Sequence, residues 1–306
     1  MWSNSSNCTS IYDFRNQVYI TSYTIITVLG LTGNGYALVL LIKTNRQSSP
    51  FHVYMINLVI SDLLFVMTLP LRIIYYVMGH WSMGSFLCRI SSYTLYVNLY
   101  CSIYFMVAMS ITRFLAIVFP VQNLQLMTVK RARQVCVAIW VFICLLSSPF
   151  LMSGEDKSNP NKTKCFEPRS ANVQSRVIVM NYLSLVIGFI LPFLVILLCY
   201  AGIIHTLLSR TQLSRTLTAQ KQQRAMGTKA IRMIVIVLLT FLISFLPYHI
   251  LRAVNLSQTN TTCNSDLLKS IVVTHCLAAA NSCFDPLLYF FSGESYRNRL
   301  STRANK

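Results

Sequence analysis

The sequence predicts an all-α integral membrane protein: a seven-transmembrane helix bundle followed by a short C-terminal amphipathic helix. Three observations carry that expectation. Of the 306 residues, 54% are hydrophobic and only 11% are charged, where a soluble domain carries about 25% charged residues. Seven charge-poor windows are each long enough to cross the roughly 30 Å of bilayer hydrocarbon. The basic residues, which give a formal net charge of +18, concentrate in alternate connections, as the positive-inside rule requires.

The first window covers 16–42. The second runs from Phe51 to about Met78 and carries Asp62 and Arg72. The third lies within 90–112 and the fourth within 134–154. The fifth, Val177 to Ser209, is longer than a bilayer needs, the sixth is Met233–Leu251, and the seventh, Ser270 to Phe291, holds Asp285. Residues 294–304 (ESYRNRLSTRA) place basic side chains at helical spacing and read as an amphipathic helix on the lipid headgroups of the inner leaflet. The division is an outer N-terminus at 1–16, a bundle at 17–293 and an inner helix and tail at 294–306.

One side of the bundle receives Lys43 and Arg46, Arg113 to Arg133, Arg210 to Arg232, and Arg297 to Lys306, together 16 of the 26 Lys and Arg. That side is expected to be cytoplasmic and the N-terminus extracellular, in a multi-pass plasma-membrane protein. Met1–Tyr19 has no apolar core, so the first helix is expected to act as its own signal anchor. Glycosylation sequons at Asn4, Asn7, Asn161 and Asn260 fall on the outer side, with a fifth at Asn255 near a helix end.

Several function classes fall away. The chain is too apolar for its charge to mean nucleic acid. No Gly-rich phosphate loop, zinc-ligand spacing or nucleophile elbow is present, so no enzyme is expected. No internal repeat supports a transporter. Most of the ten Cys sit inside helices as small core residues. Four lie at the outer face, Cys8, Cys88, Cys165 and Cys263, where oxidation to disulfides is expected. Three pairings are open. Cys88–Cys165 would clamp the second outer loop over the bundle, and Cys8–Cys263 would tie the N-terminus to the last outer loop.

Short motifs then accumulate in order along the windows. They are Gly33-Asn34, Asn57-Leu58 with Ser61-Asp62, Thr112-Arg113-Phe114, Trp140, Pro192 with Tyr200, Phe241 to Pro247, and Asp285-Pro286 with Tyr289. Together they resemble the rhodopsin-like, class A G-protein-coupled receptors. Longer blocks such as TLPLR (68–72), LYVNLYCSIYF (95–105), TKCFEP (163–168) and CFDPLLYFFSG (283–293) resemble the cysteinyl leukotriene receptors within that class, the type 1 branch more than type 2. Three positions depart from the class pattern. Thr112 stands where an acid usually pairs with the next Arg, so Arg113 needs another partner. Phe245 replaces a Trp and Asp285 an Asn.

Buried polar residues refine the expectation. Asp62 lies mid-helix, where a charge costs about 2.5–3.5 kcal/mol on insertion scales, so it needs company. Asn98 and Ser102 share one helix face, as do Asn281 and Asp285. Their oxygens would suit a small cation such as sodium, an allosteric ion with Asp62 as its principal metal ligand; the alternative is a proton shared by the two acids. Arg72 lies about 15 Å outward of Asp62 and Arg252 about 30 Å outward of Arg232. Tyr96 and Tyr100 belong to a stripe on the third helix, and Tyr248 sits one turn below Arg252 beside His249. Guanidinium forks and phenols imply an anionic group, and apolar walls imply a hydrocarbon tail.

The resemblance sharpens this to a cysteinyl leukotriene held by Arg72, Tyr96, Tyr100, Tyr248, His249 and Arg252. Receptors for extracellular nucleotides or for another lipid acid remain alternatives. The resemblance also implies a heterotrimeric G protein of the Gq class and calcium release as the output. Pro192, Pro247 and Pro286 would let helices bend. Phe241 and Phe245 would repack, and Arg113, Tyr200 and Tyr289 would rearrange at the inner ends.

Overall fold

The computed structural model describes residues 5–43, 49–152, 163–166, 174–213, 231–257 and 265–292. The Cys8 side chain, Cys263, the four outer sequons Asn4, Asn7, Asn161 and Asn260, the Tyr289 side chain and the 294–304 segment lie outside the described residues and side chains.

Seven helical spans form a bundle. The first, Ser5–Lys43, is about 58 Å long at 1.5 Å per residue. It begins well before the apolar window, so helix continues outward across the 16/17 division read from hydropathy. The second has two segments, Pro50–Val66 and Leu69–Met78. Ser49 caps it, accepting from the His52 amide at 3.2 Å, and Gly79 ends it with φ 69°. Its break has a local cause. Pro70 has no N–H to give the Val66 carbonyl, and Thr68 turns its hydroxyl back to Phe65 O at 2.7 Å. The third span is Gly84–Val118, followed by a short inner helix, Pro120–Leu126.

The fourth span, Val129–Ser147, continues as a 3₁₀ turn through Met152. Six of the spans are long and apolar enough to cross a membrane by composition. The fourth begins with Lys130, Arg131 and Arg133, and its uncharged part runs from Gln134 to Met152. Trp140 Nε1 donates to Asn57 Oδ1 at 2.9 Å and fixes this helix to the second.

The fifth and sixth spans (174–213 and 231–257) each contain a π-helical turn, Val186–Ile190 and Phe241–Phe245. Each precedes a proline, Pro192 or Pro247. A proline withholds the N–H that residue i−4 expects, and the wide turn absorbs the misfit. The bending expected at these prolines therefore takes the form of one extra residue per turn. That residue rotates every outer side chain by about 100° relative to the inner half. The seventh span is Ser265–Ala279 and Asn281–Ser292, joined at Ala280. There Pro286 frees the Ser282 carbonyl, and Asn34 Nδ2 on the first helix occupies it at 2.7 Å.

Outward side chains such as Val28, Val137, Leu145 and Leu198 are apolar and exposed, as a lipid face should be. Association in lipid depends on close packing rather than on hydrophobic burial. Gly188, in the π turn, shows how close. A Cβ there would lie 2.4 Å from Cε1 of the fully buried Tyr100. Gly188→Ala is expected to destabilise the bundle by about 1–3 kcal/mol, read as a lower melting temperature of the detergent-solubilised protein. Gly35→Ala, with nothing within 4 Å, should leave that temperature unchanged or raise it.

Candidate functional site

Three polar or aromatic clusters lie along the bundle axis, at outer, middle and inner depth.

At the outer end, the Cys88–Cys165 disulfide is present and pins 163–166 above the second and third helices. The Trp81 amide donates to Thr163 O at 2.8 Å. Phe166, held at φ 68°, packs edge-on against Trp81 and Tyr75. Its ring lies 4.2 Å from the Arg72 guanidinium carbon, a cation–π contact. Arg72 is buried, donates to Ser91 O at 2.8 Å and leaves Nε without a protein partner. Tyr23 is its polar neighbour within a stack of Tyr19, Tyr23 and Tyr76.

Arg252 heads a different group. It donates to the Tyr248 hydroxyl and lies over the Tyr96 and Tyr248 rings at 5.3 and 5.6 Å. His249 stacks on Phe189 at 4.9 Å and lies 6.2 Å from the Tyr100 ring. The two arginines are thus not one cluster. Tyr96, Tyr100, Tyr248, His249 and Arg252 come together, while Arg72 sits with the first and second helices. His275 stands between them, edge-on to Tyr248 at 5.1 Å and within electrostatic reach of both guanidinium groups. Sequence reasoning missed His275, although a signal existed: it lies ten residues outward of Asp285, as Arg72 lies ten outward of Asp62.

In the middle, Asp62, Asn98, Ser102, Asn281 and Asp285 are all fully or nearly fully buried. Asn98 Nδ2 donates to Asp62 Oδ1 at 2.9 Å, and Ser282 Oγ reaches Asn98 Oδ1 at 3.5 Å. The two carboxyl groups interact directly. Asp62 Oδ2, both Asp285 oxygens and Ser102 Oγ make no hydrogen bond of good geometry, although Asp285 and Ser102 stand beside Asp62. Unpartnered buried oxygens of this kind fit a small hard cation. Among the described residues, no three His, Cys, Asp or Glu side chains converge, so the donor set does not suit a transition metal.

At the inner end, Thr112 turns its hydroxyl to Ala108 O at 2.8 Å and faces Met127 Sδ. Arg113 finds its partner in the Phe51 ring, 4.2 Å from the guanidinium carbon. Phe51 was not singled out from the sequence, because an aromatic residue at a helix start looks like ordinary packing. Tyr200 OH and Ser110 Oγ are 2.8 Å apart. Ser110, Arg113 and Tyr200, with Met233, Ile234 and Leu288, line a cleft between the third, fifth, sixth and seventh helices. An aromatic chain runs from the outer group toward this end. Phe189 stacks on Phe241 and Phe193, and Phe241 packs edge-on against Phe245, all with centroids within 6 Å.

The arrangement offers fixed cations and phenols outside, a paired-acid site in the middle and a cleft inside. Residues 33–289 match the family described as "7 transmembrane receptor (rhodopsin family)". The chain is 53% identical to "Cysteinyl leukotriene receptor 1" of Cavia porcellus, over 98% of this chain and 88% of that one. It is 54% identical to the Homo sapiens protein of the same name, over 96% and 87% of the two chains. It is 40% identical to "Cysteinyl leukotriene receptor 2" of Homo sapiens, over 99% and 86%.

Proposed function

The chain belongs to the rhodopsin family of seven-transmembrane receptors, and from that premise we propose that it is a plasma-membrane receptor for cysteinyl leukotrienes, with its N-terminus outside. It is a multi-pass membrane receptor and not an enzyme. The observation that carries the ligand class is Arg252, linked to Tyr248 and lying over Tyr96 in the outer half of the bundle. A cation at such depth is a functional site by default, and the relatives named above bear the ligand in their names. The ligand carboxylate goes to Arg252, which the Tyr248 hydroxyl orients. Arg72, buried beneath Phe166, takes the second acidic group. The C20 chain runs between apolar helix faces.

Signal transfer is a population shift: the agonist binds one arrangement of the helices better than the other. His249 and Phe189 touch, and Phe189 touches Phe241. A displacement of His249 by ligand therefore reaches the wide turn of the sixth helix by direct contact. The inner cleft beside Arg113 opens when the Ser110–Tyr200 hydrogen bond and the Arg113–Phe51 contact give way, and it receives the C-terminal helix of a Gq-class G protein. Leukotriene D4 is expected to evoke calcium release at nanomolar concentration in cells expressing this chain, and a Gq inhibitor should abolish it. A surface-expressed chain that stays silent, while still binding the labelled ligand, would remove the Gq assignment and leave the ligand.

Asp62, Asn98, Ser102, Asn281 and Asp285 would hold a sodium ion, which would supply positive charge between the two carboxylates. Replacing sodium chloride by choline chloride is expected to lower the melting temperature of the parent protein and to leave Asp62→Asn unmoved. Equal responses of the two proteins would favour a proton shared between the acids.

A further inference from the structure

Arg113 is the one charged side chain that lines the inner cleft among the described residues, and its charge is unmatched. It forms no hydrogen bond or ion pair with any described residue, and its buried Nε has no acceptor. Thr112 beside it supplies none, because its hydroxyl turns to Ala108 O at 2.8 Å and Met127 Sδ at 4.0 Å. Tyr200, in the same cleft, has its hydroxyl engaged with Ser110. What holds the guanidinium is the Phe51 ring, 4.2 Å from its central carbon.

Phe51 is placed for this contact by its own helix. Ser49 caps the second helix at the His52 amide, and Pro50 occupies its first position. Phe51 therefore sits in a fixed first turn, with its ring part-buried against the core of the bundle. The second helix is not among those that line the cleft, so the contact draws the guanidinium toward a helix outside it. A partner that enters with a helix C-terminus brings carbonyls without intrahelical N–H groups and the negative end of a helix dipole. Both call for the one cation present, and a guanidinium held over Phe51 is not free to meet them.

We propose that Phe51 is an autoinhibitory restraint: without agonist its ring holds Arg113 back, the task a carboxylate in place of Thr112 would perform. The restraint rests on coupling to a G protein, but not on the ligand or on the G-protein class. A cation–π contact is modest in strength, so this one sets the level of basal signalling rather than abolishing it.

Agonist-free nucleotide exchange tests this, read as binding of labelled GTPγS to membranes from cells that express the full chain with a G protein. Each variant is normalised to receptor at the cell surface. Phe51→Leu and Phe51→Met keep an apolar side chain and remove the ring, and each should raise basal exchange about two- to fivefold over the parent. Phe51→Trp, whose ring attracts a cation more strongly, should lie at or below the parent. Adding Thr112→Asp to Phe51→Leu should return exchange toward the parent level, because a carboxylate then pairs with Arg113. A purely structural role for Phe51 would lower the signal of the Leu and Met variants and give no such rescue. Basal exchange unchanged or lowered in both, or raised as far by Phe51→Trp, would overturn the restraint. Failure of leukotriene D4 to stimulate the parent would count against the ligand reading alone, since the comparison is made without agonist.

Discussion

Arg252→Ala is expected to weaken cysteinyl leukotriene binding about thirtyfold, with surface expression preserved. A hydrogen bond to a charged group contributes about 1.5–3 kcal/mol, and 1.4 kcal/mol is a factor of ten. Arg252 is only half-buried, so the loss should lie in the lower part of that range. Tyr248→Phe removes the phenol that receives the Arg252 hydrogen bond but keeps the guanidinium, and about fivefold is expected. Arg252→Lys keeps the charge and loses the planar fork, so it should fall between the two. The double variant Arg252→Ala with Tyr248→Phe should be no worse than Arg252→Ala alone, if Tyr248 acts by orienting Arg252. Additive losses in competition binding would instead give Tyr248 its own contact with the ligand.

The second large effect belongs to the outer disulfide. Cys88→Ser opens a link spanning 77 residues of sequence, and loss of a native disulfide typically costs about 2–5 kcal/mol. The local consequence is more specific than the general one. Phe166 follows Cys165 directly and covers the Arg72 guanidinium at 4.2 Å, and Thr163 holds Trp81. Freeing this segment uncovers Arg72. Cys88→Ser is therefore expected to lower both the melting temperature and ligand affinity, the latter more than tenfold. Cys88→Ser with Cys165→Ser should match the single variant. An intact affinity in the single variant, measured on surface-expressed protein, would detach Phe166 and Arg72 from ligand binding.

Much of this architecture was legible in the sequence because membrane helices must be long, apolar and flanked by asymmetric charge. Depth was legible too. Asp62 and Asp285 came out as neighbours on motif grounds, and they do meet. Arg252 and Tyr248, one helical turn apart, do pair. The pairing of Arg72 was not legible. Its neighbours Tyr19, Tyr23 and Phe166 come from the first helix and from a loop, and no periodicity connects those segments. Nor were the two π turns. One extra residue before Pro192 and before Pro247 re-aims the outer halves of the fifth and sixth helices, and no hydrophobic pattern in the sequence announces it. The Arg113–Phe51 contact was hidden for another reason: a missing acid at Thr112 signals that a partner is needed without saying which.

The central claim is that the outer cluster around Arg252 holds a cysteinyl leukotriene. Saturation binding of labelled leukotriene D4 to membranes bearing the parent chain tests it most directly, with unlabelled leukotriene and uridine nucleotides as competitors. The account predicts nanomolar, saturable binding that unlabelled leukotriene displaces, that nucleotides leave untouched, and that Arg252→Ala weakens about thirtyfold. Saturable binding of nucleotide instead, or leukotriene binding indifferent to Arg252→Ala, would contradict it.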